Sequence, residues 1–290
     1  LWKEVYRTLK PGGYLLSFAA SRNYHRMAVA IEDSGFEIRD QIMWIYGSGF
    51  PKSMNIGKAI DKKQGNKRKV IGSTNQQDIR SGNYVQGPQD RIDVPITKGD
   101  SEWEGWGTAL KPAHEPICMA RKPISEKSVT DNVLKHGTGG INIDGCRVPT
   151  DENISNHSRS AESAVSKGIF GDSKEQETHQ TQGQELGRFP ANLIHDGLEE
   201  DWSRFFYCPK ANKKEKGDSK HPTVKPVELM RYLVRLVTPK DGIVLDPFAG
   251  TGTTGEACIL EDRNYYLIEA EESYIKDIEN RTNKYNRLGL

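Results

Sequence analysis

Ten consecutive residues, Asp246-Pro247-Phe248-Ala249-Gly250-Thr251-Gly252-Thr253-Thr254-Gly255, carry the densest chemical signal in the chain. The short apolar run Ile243-Val244-Leu245 precedes them as a buried strand, and a helix through Ala257 and Leu260 follows. Gly250, Gly252 and Gly255 satisfy G-x-G-x-x-G, and Glu269 lies nineteen residues beyond Gly250 near the end of the next strand-like run. Glycines at this spacing let the backbone turn sharply and a ligand approach it. An acidic side chain about twenty residues further on suits ribose hydroxyls. The chemistry indicated is the binding of a nucleoside-bearing ligand. For Asp246 and Glu269 a shared ligand explains two strand-end carboxylates at this spacing, whereas Phe248 suits plain core packing nearly as well as direct contact.

These residues need a scaffold, and both ends of the chain supply one. Leu1, Trp2, Val5 and Leu9 fall at helical spacing, and Pro11-Gly12-Gly13 ends that helix. Residues 14–18 predict a buried strand. Residues 23–34 predict a second helix with Met27, Ala30 and Ile31 inward, closed by Gly35. Residues 36–46 then predict a strand, with Phe36, Ile38, Ile42, Trp44 and Tyr46 on even positions and a slip near Asp40. Toward the C-terminus, Pro226 opens a helix carrying Leu229, Met230, Leu233, Leu236 and Val237 inward. After the glycine loop come a strand at 265–269 and a last helix marked by Tyr274, Ile275, Ile278 and Tyr285. This alternation predicts an α/β fold with a mostly parallel sheet. Residues 60–107 and 151–187 are rich in Gly, Ser, Asn, Gln and charge and read as loops, with more ordered islands at 110–120, 139–148 and 189–194. The expected organisation is a core made of 1–46 and 213–290, with 47–212 as a target-recognition insertion.

The order of the parts separates two ligand classes. A dinucleotide-binding domain continues through several strand–helix units after its glycine loop. Here one strand and one helix remain, so the rest of the sheet must come from the N-terminal segment. In this permuted order, and in the Asp-Pro-Phe triplet before the glycines, the chain closely resembles the β arrangement of amino-DNA-methyltransferases. Residues 246–254 resemble that family's D-P-F-x-G-S-G-T-T motif, with Thr251 at the serine position. His221-Pro222-Thr223-Val224-Lys225-Pro226 matches its H-P-T-x-K-P motif, and Leu9-Lys10-Pro11-Gly12-Gly13 resembles the turn before the strand that follows its catalytic motif.

The resemblance implies a Rossmann-like S-adenosylmethionine-dependent methyltransferase sheet, circularly permuted, with a long irregular insertion. It implies S-adenosylmethionine as cofactor, with Asp246 on the methionine amino group and Glu269 on both ribose hydroxyls. Gly250, Gly252 and Thr253 would form the loop against the cofactor. Phe248 would pack at the pocket shared with the target base, and Thr223 and Lys225 would line the methionine side. The acceptor implied is an exocyclic amino group of adenine, less so cytosine, in double-stranded DNA. Such a group is a poor nucleophile because its lone pair is delocalised into the ring. The family answers with an (Asp/Asn/Ser)-Pro-Pro-(Tyr/Phe) motif that accepts the amino hydrogens and stacks on the flipped base.

No such tetrapeptide occurs in the 290 residues. In the family it lies upstream of the L-K-P-G-G helix, and this chain opens on Leu1. The expectation is therefore an N-terminally truncated piece with no catalytic residue of its own. The first residue of that motif separates adenine from cytosine, so the target base stays open and the lean to adenine is a family-level one.

Target contact is expected in the 47–212 insertion and at its border. Trp44 resembles the family's aromatic position near the target base, with a core tryptophan an equal reading. Segments 47–53 and 187–190 interleave basic and aromatic residues, and Lys52, Arg147 and Arg188 are candidate DNA contacts. Net charge is only +1. Lys62, Lys63, Lys67, Arg68 and Lys69 form one basic cluster, and Lys210, Lys213, Lys214, Lys216 and Lys220 another. Either alone reads first as a solvated loop. No run approaches the roughly 18 apolar residues of a membrane span, no signal peptide opens the chain, and mean hydropathy is −0.71. A cytoplasmic location is expected. Cys118, Cys146, Cys208 and Cys258 include no C-x-x-C pair, and no metal is expected. The pattern fits both restriction-modification and stand-alone phage methylases. Two other classes stay open: a nicotinamide- or flavin-dependent oxidoreductase, and a non-catalytic DNA- or cofactor-binding module.

Overall fold

A computed structural model describes residues 1–47, 49, 51–77, 91–152, 185–197, 206–207 and 224–286. Its elements are α1 (Trp2–Thr8), β1 (Tyr14–Phe18), α2 (Tyr24–Glu32), β2 (Glu37–Ile45), α3 (Ile56–Gln64), β3 (Lys69–Gln77), β4 (Arg91–Lys98), β5 (His114–Arg121) and α4 (Val129–His136). They continue with β6 (Leu193–His195), α5 (Val227–Val237), β7 (Ile243–Asp246), α6 (Thr253–Leu260), β8 (Asn264–Leu267) and α7 (Glu272–Asn286). The protein divides into two compact units, Leu1–Gly47 with His114–Leu290, and Ser48–Ala113. No helix among the described residues is long and apolar enough to cross a membrane.

In the larger unit four strands form a sheet in the order β1-β5-β2-β6, and β7 pairs with β8 separately. The fold is mixed α/β, but the expectation of a mostly parallel sheet is corrected, since β5 runs antiparallel to both β1 and β2. Among the described residues the parallel strand pairs are β2–β6 and β7–β8. The apolar run Pro116–Ala120, part of one of the ordered islands, is buried in the central place between β1 and β2, and the chain re-enters the sheet at His114 opposite Ile45, so that β5 runs back along β2. The slip anticipated near Asp40 is a register shift between Ile38 and Asp40.

Alternate residues of β5 face opposite sides of the sheet, as the two-residue period requires. Cys118 and Ala120 meet Ile31 and Phe36, with Trp2, Val5 and Leu9 of the N-terminal helix packed beside them. Ile117 and Met119 join Ile42, Trp44 and Ile194 under Leu229, Tyr232, Leu233 and Leu236 of α5. On its other flank α5 presents Met230 and Val234 to Val244, Ala257, Cys258 and Tyr265. One helix thus has apolar contacts on two sides and joins the four-stranded sheet to the β7–β8 pair.

Two buried carboxylates fix the C-terminal helices. Glu261 accepts from Arg231 Nε at 2.9 Å and from Arg235 at 2.8 and 2.6 Å, tying the end of α6 to α5. Glu256, 4% exposed, receives Arg281, Lys284 and the Tyr285 hydroxyl of α7. Burial alone would raise the Glu256 pKa, but the hydrogen bonds from Lys284, Tyr285 and Arg281 outweigh it and hold the carboxyl below its usual range.

The smaller unit contains order where the composition suggested loops. Asn55 caps α3 by accepting from Lys58 N at 2.8 Å, and Gly65 ends the helix at φ +73°. The antiparallel pair β3–β4 follows. Arg68 fastens the parts together, bridging to Asp61 of α3, to both oxygens of Glu104 at 2.9 and 2.7 Å, and to the Thr97 carbonyl at 2.9 Å.

Replacing Glu256 with Gln leaves two cations facing a neutral amide, and is expected to cost about 3 kcal/mol in urea unfolding. Because its folded pKa is depressed, the carboxylate's contribution is complete above about pH 4.5 and is lost as pH falls below that value. The wild-type stability should therefore decline more steeply than that of Glu256→Gln on acidification.

Candidate active site

The glycine loop grows directly out of the β7–β8 pairing. Asp246 is the last residue of β7 and pairs in register with Leu267, so Glu269 follows two residues beyond the same edge. Backbone bonds from Ile268 N to Asp246 O (2.9 Å) and from Ala249 N to Ile268 O (3.0 Å) hold the two strand ends together. Glu269 then fixes the loop with its side chain. Its Oε2 accepts from Gly250 N at 2.8 Å, and its Oε1 from Ala270 N and Glu271 N at 2.9 and 3.0 Å.

Asp246 is positioned by a second set of bonds. Its Oδ1 accepts from Phe248 N at 3.0 Å and its Oδ2 from the Thr254 hydroxyl at 2.5 Å, in the first turn of α6. Both carboxylates therefore stand at the C-terminal edge of adjacent parallel strands, where α/β sheets bind ligands. Gly252 caps α6 at φ +81°, and a Cβ placed there would lie 3.1 Å from the Cα of Ile278. Gly255 lets α6 lie against β8, since a Cβ would come within 2.7 Å of Leu267 Cδ1. Thr253 is buried, and Phe248 stands out, 69% exposed. Burial against Val234 and Ala257 pushes the Cys258 thiol up to about 12, with the Asp246 charge adding in the same direction.

A second cluster forms where β1 and β2 end. Lys225, just before α5, pairs with Glu115 Oε2 at 2.8 Å. Its ammonium lies 5.0 Å from the centre of the Phe18 ring and 5.6 Å from that of Trp44. Trp44 and Glu115 are cross-strand partners in β2 and β5. Trp44 is buried in the core cluster against Tyr46, and its Nε1 is enclosed without a hydrogen-bond acceptor among the described residues. Sequence reasoning missed Glu115 and Phe18. The available signal was a lone acid heading the otherwise apolar run of β5.

The other candidates lie elsewhere. Arg147 bonds to Asp144 Oδ1 at 2.7 Å and to the Gly187 carbonyl at 3.1 Å, and lies over the exposed Phe189 ring. Arg188 bridges to Glu152, and its backbone pairs with Val148. Lys52 is exposed in the smaller unit. Thr223, with His221 and Pro222, lies outside the described residues, as does the basic cluster at 210–220.

Comparison with known proteins adds a family. A family described as DNA methylase matches residues 1–280. The Type II methyltransferase M.HindIII of Haemophilus influenzae is 26% identical over 253 residues, covering 87% of this chain and 57% of that protein. The Type II methyltransferase M2.MboI of Moraxella bovis is 46% identical over 68 residues, 23% of this chain and 25% of its own. The chain thus spans little more than half the length of the first relative and a quarter of the second. Among solved structures, the PvuII DNA methyltransferase (cytosine-N4-specific) aligns over 98% of this chain and 73% of its own, at 16% identity and a TM-score of 0.47.

Gly252→Ala tests the loop geometry. A side chain at this left-handed position beside Ile278 is expected to cost about 1–2 kcal/mol, read as a lower midpoint in urea unfolding.

Proposed function

This chain belongs to the family of N6/N4 DNA methylases, and on that footing we propose that it binds S-adenosylmethionine and double-stranded DNA. The enzyme of which it forms part would transfer a methyl group to an exocyclic amino group of a base. The observation that carries this reading is the pair of carboxylates, Asp246 and Glu269, at neighbouring strand tips beside the N-terminus of α6. Two negative side chains favour a ligand bearing a cationic amino group and neutral hydroxyls. They disfavour the pyrophosphate that a nicotinamide or flavin dinucleotide would bring to the same helix end.

The fit to S-adenosylmethionine is specific to these residues. Asp246 would accept from the ammonium of its methionine end, and Glu269 from its ribose hydroxyls. The bonds that Glu269 already makes to Gly250, Ala270 and Glu271 hold its carboxylate in place for that task. Gly250 and Gly252 leave the loop surface clear of side chains, Thr253 would complete the loop against the cofactor, and the exposed Phe248 ring offers an apolar face. Lys225 and Thr223 would line the methionine side. The bound cofactor supplies an electrophilic methyl group on its sulfonium sulfur.

The catalytic (Asp/Asn/Ser)-Pro-Pro-(Tyr/Phe) tetrapeptide would be contributed by sequence upstream of Leu1, and the greater length of M.HindIII, of which this chain matches 57%, supports that reading. Adenine is the favoured target, by family prior alone. Trp44, Lys52, Arg147 and Arg188 are the proposed DNA contacts. The same reading makes the protein cytoplasmic and a component of restriction-modification or of a stand-alone methylation activity.

Calorimetric titration with S-adenosylmethionine tests the cofactor site. Asp246→Ala and Glu269→Ala should each weaken binding tenfold or more, with Glu269→Gln as the milder control for the loop. Equal affinity in all variants, or displacement by NADH but not by S-adenosylhomocysteine, would contradict the assigned roles. The reading frame upstream of the Leu1 codon is expected to encode the Pro-Pro tetrapeptide; an upstream frame without it would favour a non-catalytic binding module.

A further inference from the structure

The last helix does more than close the fold. Ile278, Arg281, Thr282 and Tyr285 recur along α7 at the three- and four-residue spacing that puts side chains on one face of a helix. Each meets the glycine loop or the helix that the loop opens. Ile278 stands against Gly252, Thr282 lies 3.4 Å from where a Cβ on Gly255 would be, and the Tyr285 hydroxyl donates to Glu256 at 2.7 Å. Arg281 reaches the loop itself. Its Nε donates to the Thr251 carbonyl at 2.9 Å, and its Nη1 donates to Glu256. The arginine side chain is 12% exposed and Thr251 is buried.

A counterion role toward Glu256 leaves the bond to Thr251 unexplained. Glu256 already receives Lys284 and Tyr285. A cation beside the residues that open α6 also works against the helix dipole, which favours negative charge at an N-terminus. What the position offers Arg281 is the Thr251 carbonyl. Thr251 lies between Gly250 at φ +53° and Gly252 at φ +81°. Glycine on both sides gives the peptide groups of the loop two swivels. Three bonds hold them: Gly250 N to Glu269, Gly252 N to the Ala249 carbonyl, and Arg281 to the Thr251 carbonyl. The third comes from 30 residues further along the chain and brings a full positive charge to a neutral acceptor.

We propose that Arg281 is a positioning residue for cofactor binding, holding the Thr251 carbonyl so that the glycine loop has its binding shape before the ligand arrives. Glu256 orients the guanidinium for this task. This rests on the S-adenosylmethionine reading and deepens it, adding to Asp246 and Glu269 a side chain that acts through the loop rather than on the ligand. A loop left to find its shape on binding loses affinity by the entropy of fixing one residue, roughly tenfold.

Calorimetric titration of the full 290-residue chain with S-adenosylmethionine tests this, alongside urea unfolding and amide hydrogen exchange of residues 248–255. Arg281→Ala should weaken binding about tenfold and speed exchange in the loop. Arg281→Lys, with one ammonium in place of a planar fork, should fall between that variant and wild type. Lys284→Gln removes a cation from the same Glu256 and leaves the Thr251 bond in place. It should lower the unfolding midpoint while affinity and loop exchange stay at wild-type values. Wild-type affinity in a folded Arg281→Ala overturns the proposal. An equal loss of affinity in Lys284→Gln also overturns it, since the effect would then be one of α7 docking alone. Should Arg281→Ala not fold, Arg281→Lys decides: wild-type affinity and loop exchange in that variant overturn the proposal. A wild-type chain that binds no S-adenosylmethionine would instead sink the cofactor reading itself.

Discussion

The larger unit depends on how one carboxylate closes one loop. Glu269 sits two residues past the end of β8 and accepts backbone hydrogens from Gly250 on one side and from Ala270 and Glu271 on the other. An ionised acceptor bound by backbone donors is stronger and shorter than a neutral one. Here it sets the path of the chain from β7 into α6, and it explains why the loop tolerates so little bulk. Gly252 must adopt a left-handed conformation beside Ile278, and Gly255 must let the helix touch Leu267. The same carboxylate that organises the loop is the one proposed to accept from ribose hydroxyls.

Everything beneath the loop serves to keep β7 and β8 fixed. The α5 helix reaches the four-stranded sheet through Leu229, Tyr232, Leu233 and Leu236 and reaches α6 through Met230 and Val234. Glu261 and Glu256 then lock α6 to α5 and α7 with buried ion pairs. Lys225, leading into α5, connects this assembly to Glu115, Phe18 and Trp44 at the end of the four-stranded sheet. The two clusters of chemically active residues are thus attached to a shared packing arrangement.

The sequence made the local parts of this plain and hid the long-range ones. Strand β1 was legible because an apolar run ended in a turn, and the irregularity at Asp40 because one polar residue broke an even alternation. Asp246, Gly250, Gly252 and Glu269 were legible because a strand–loop–helix fixes their spacing in the chain itself. The direction of β5 was not, since antiparallel pairing on both edges depends on where the chain goes between Ile45 and His114. The helix α3 was overlooked although Asn55 and Gly65 marked both its ends; its strongly polar composition hid its narrow buried side of Gly57 and Asp61. Glu115 could not be found from periodicity, because its importance comes from Lys225, 110 residues away.

The register of β2 and β5 has a consequence for how such a protein can change. Ile45 and His114 are direct cross-strand partners, so the chain leaves the sheet and returns to it at points only about 5 Å apart. Everything between those points is a loop-out from a hairpin, and a tight turn could replace it without moving a strand. A lineage could therefore exchange this module for another, or lengthen it, while the strands that carry the cofactor loop stay as they are. The surface carried between Ile45 and His114 could then diverge quickly over strands that hardly change.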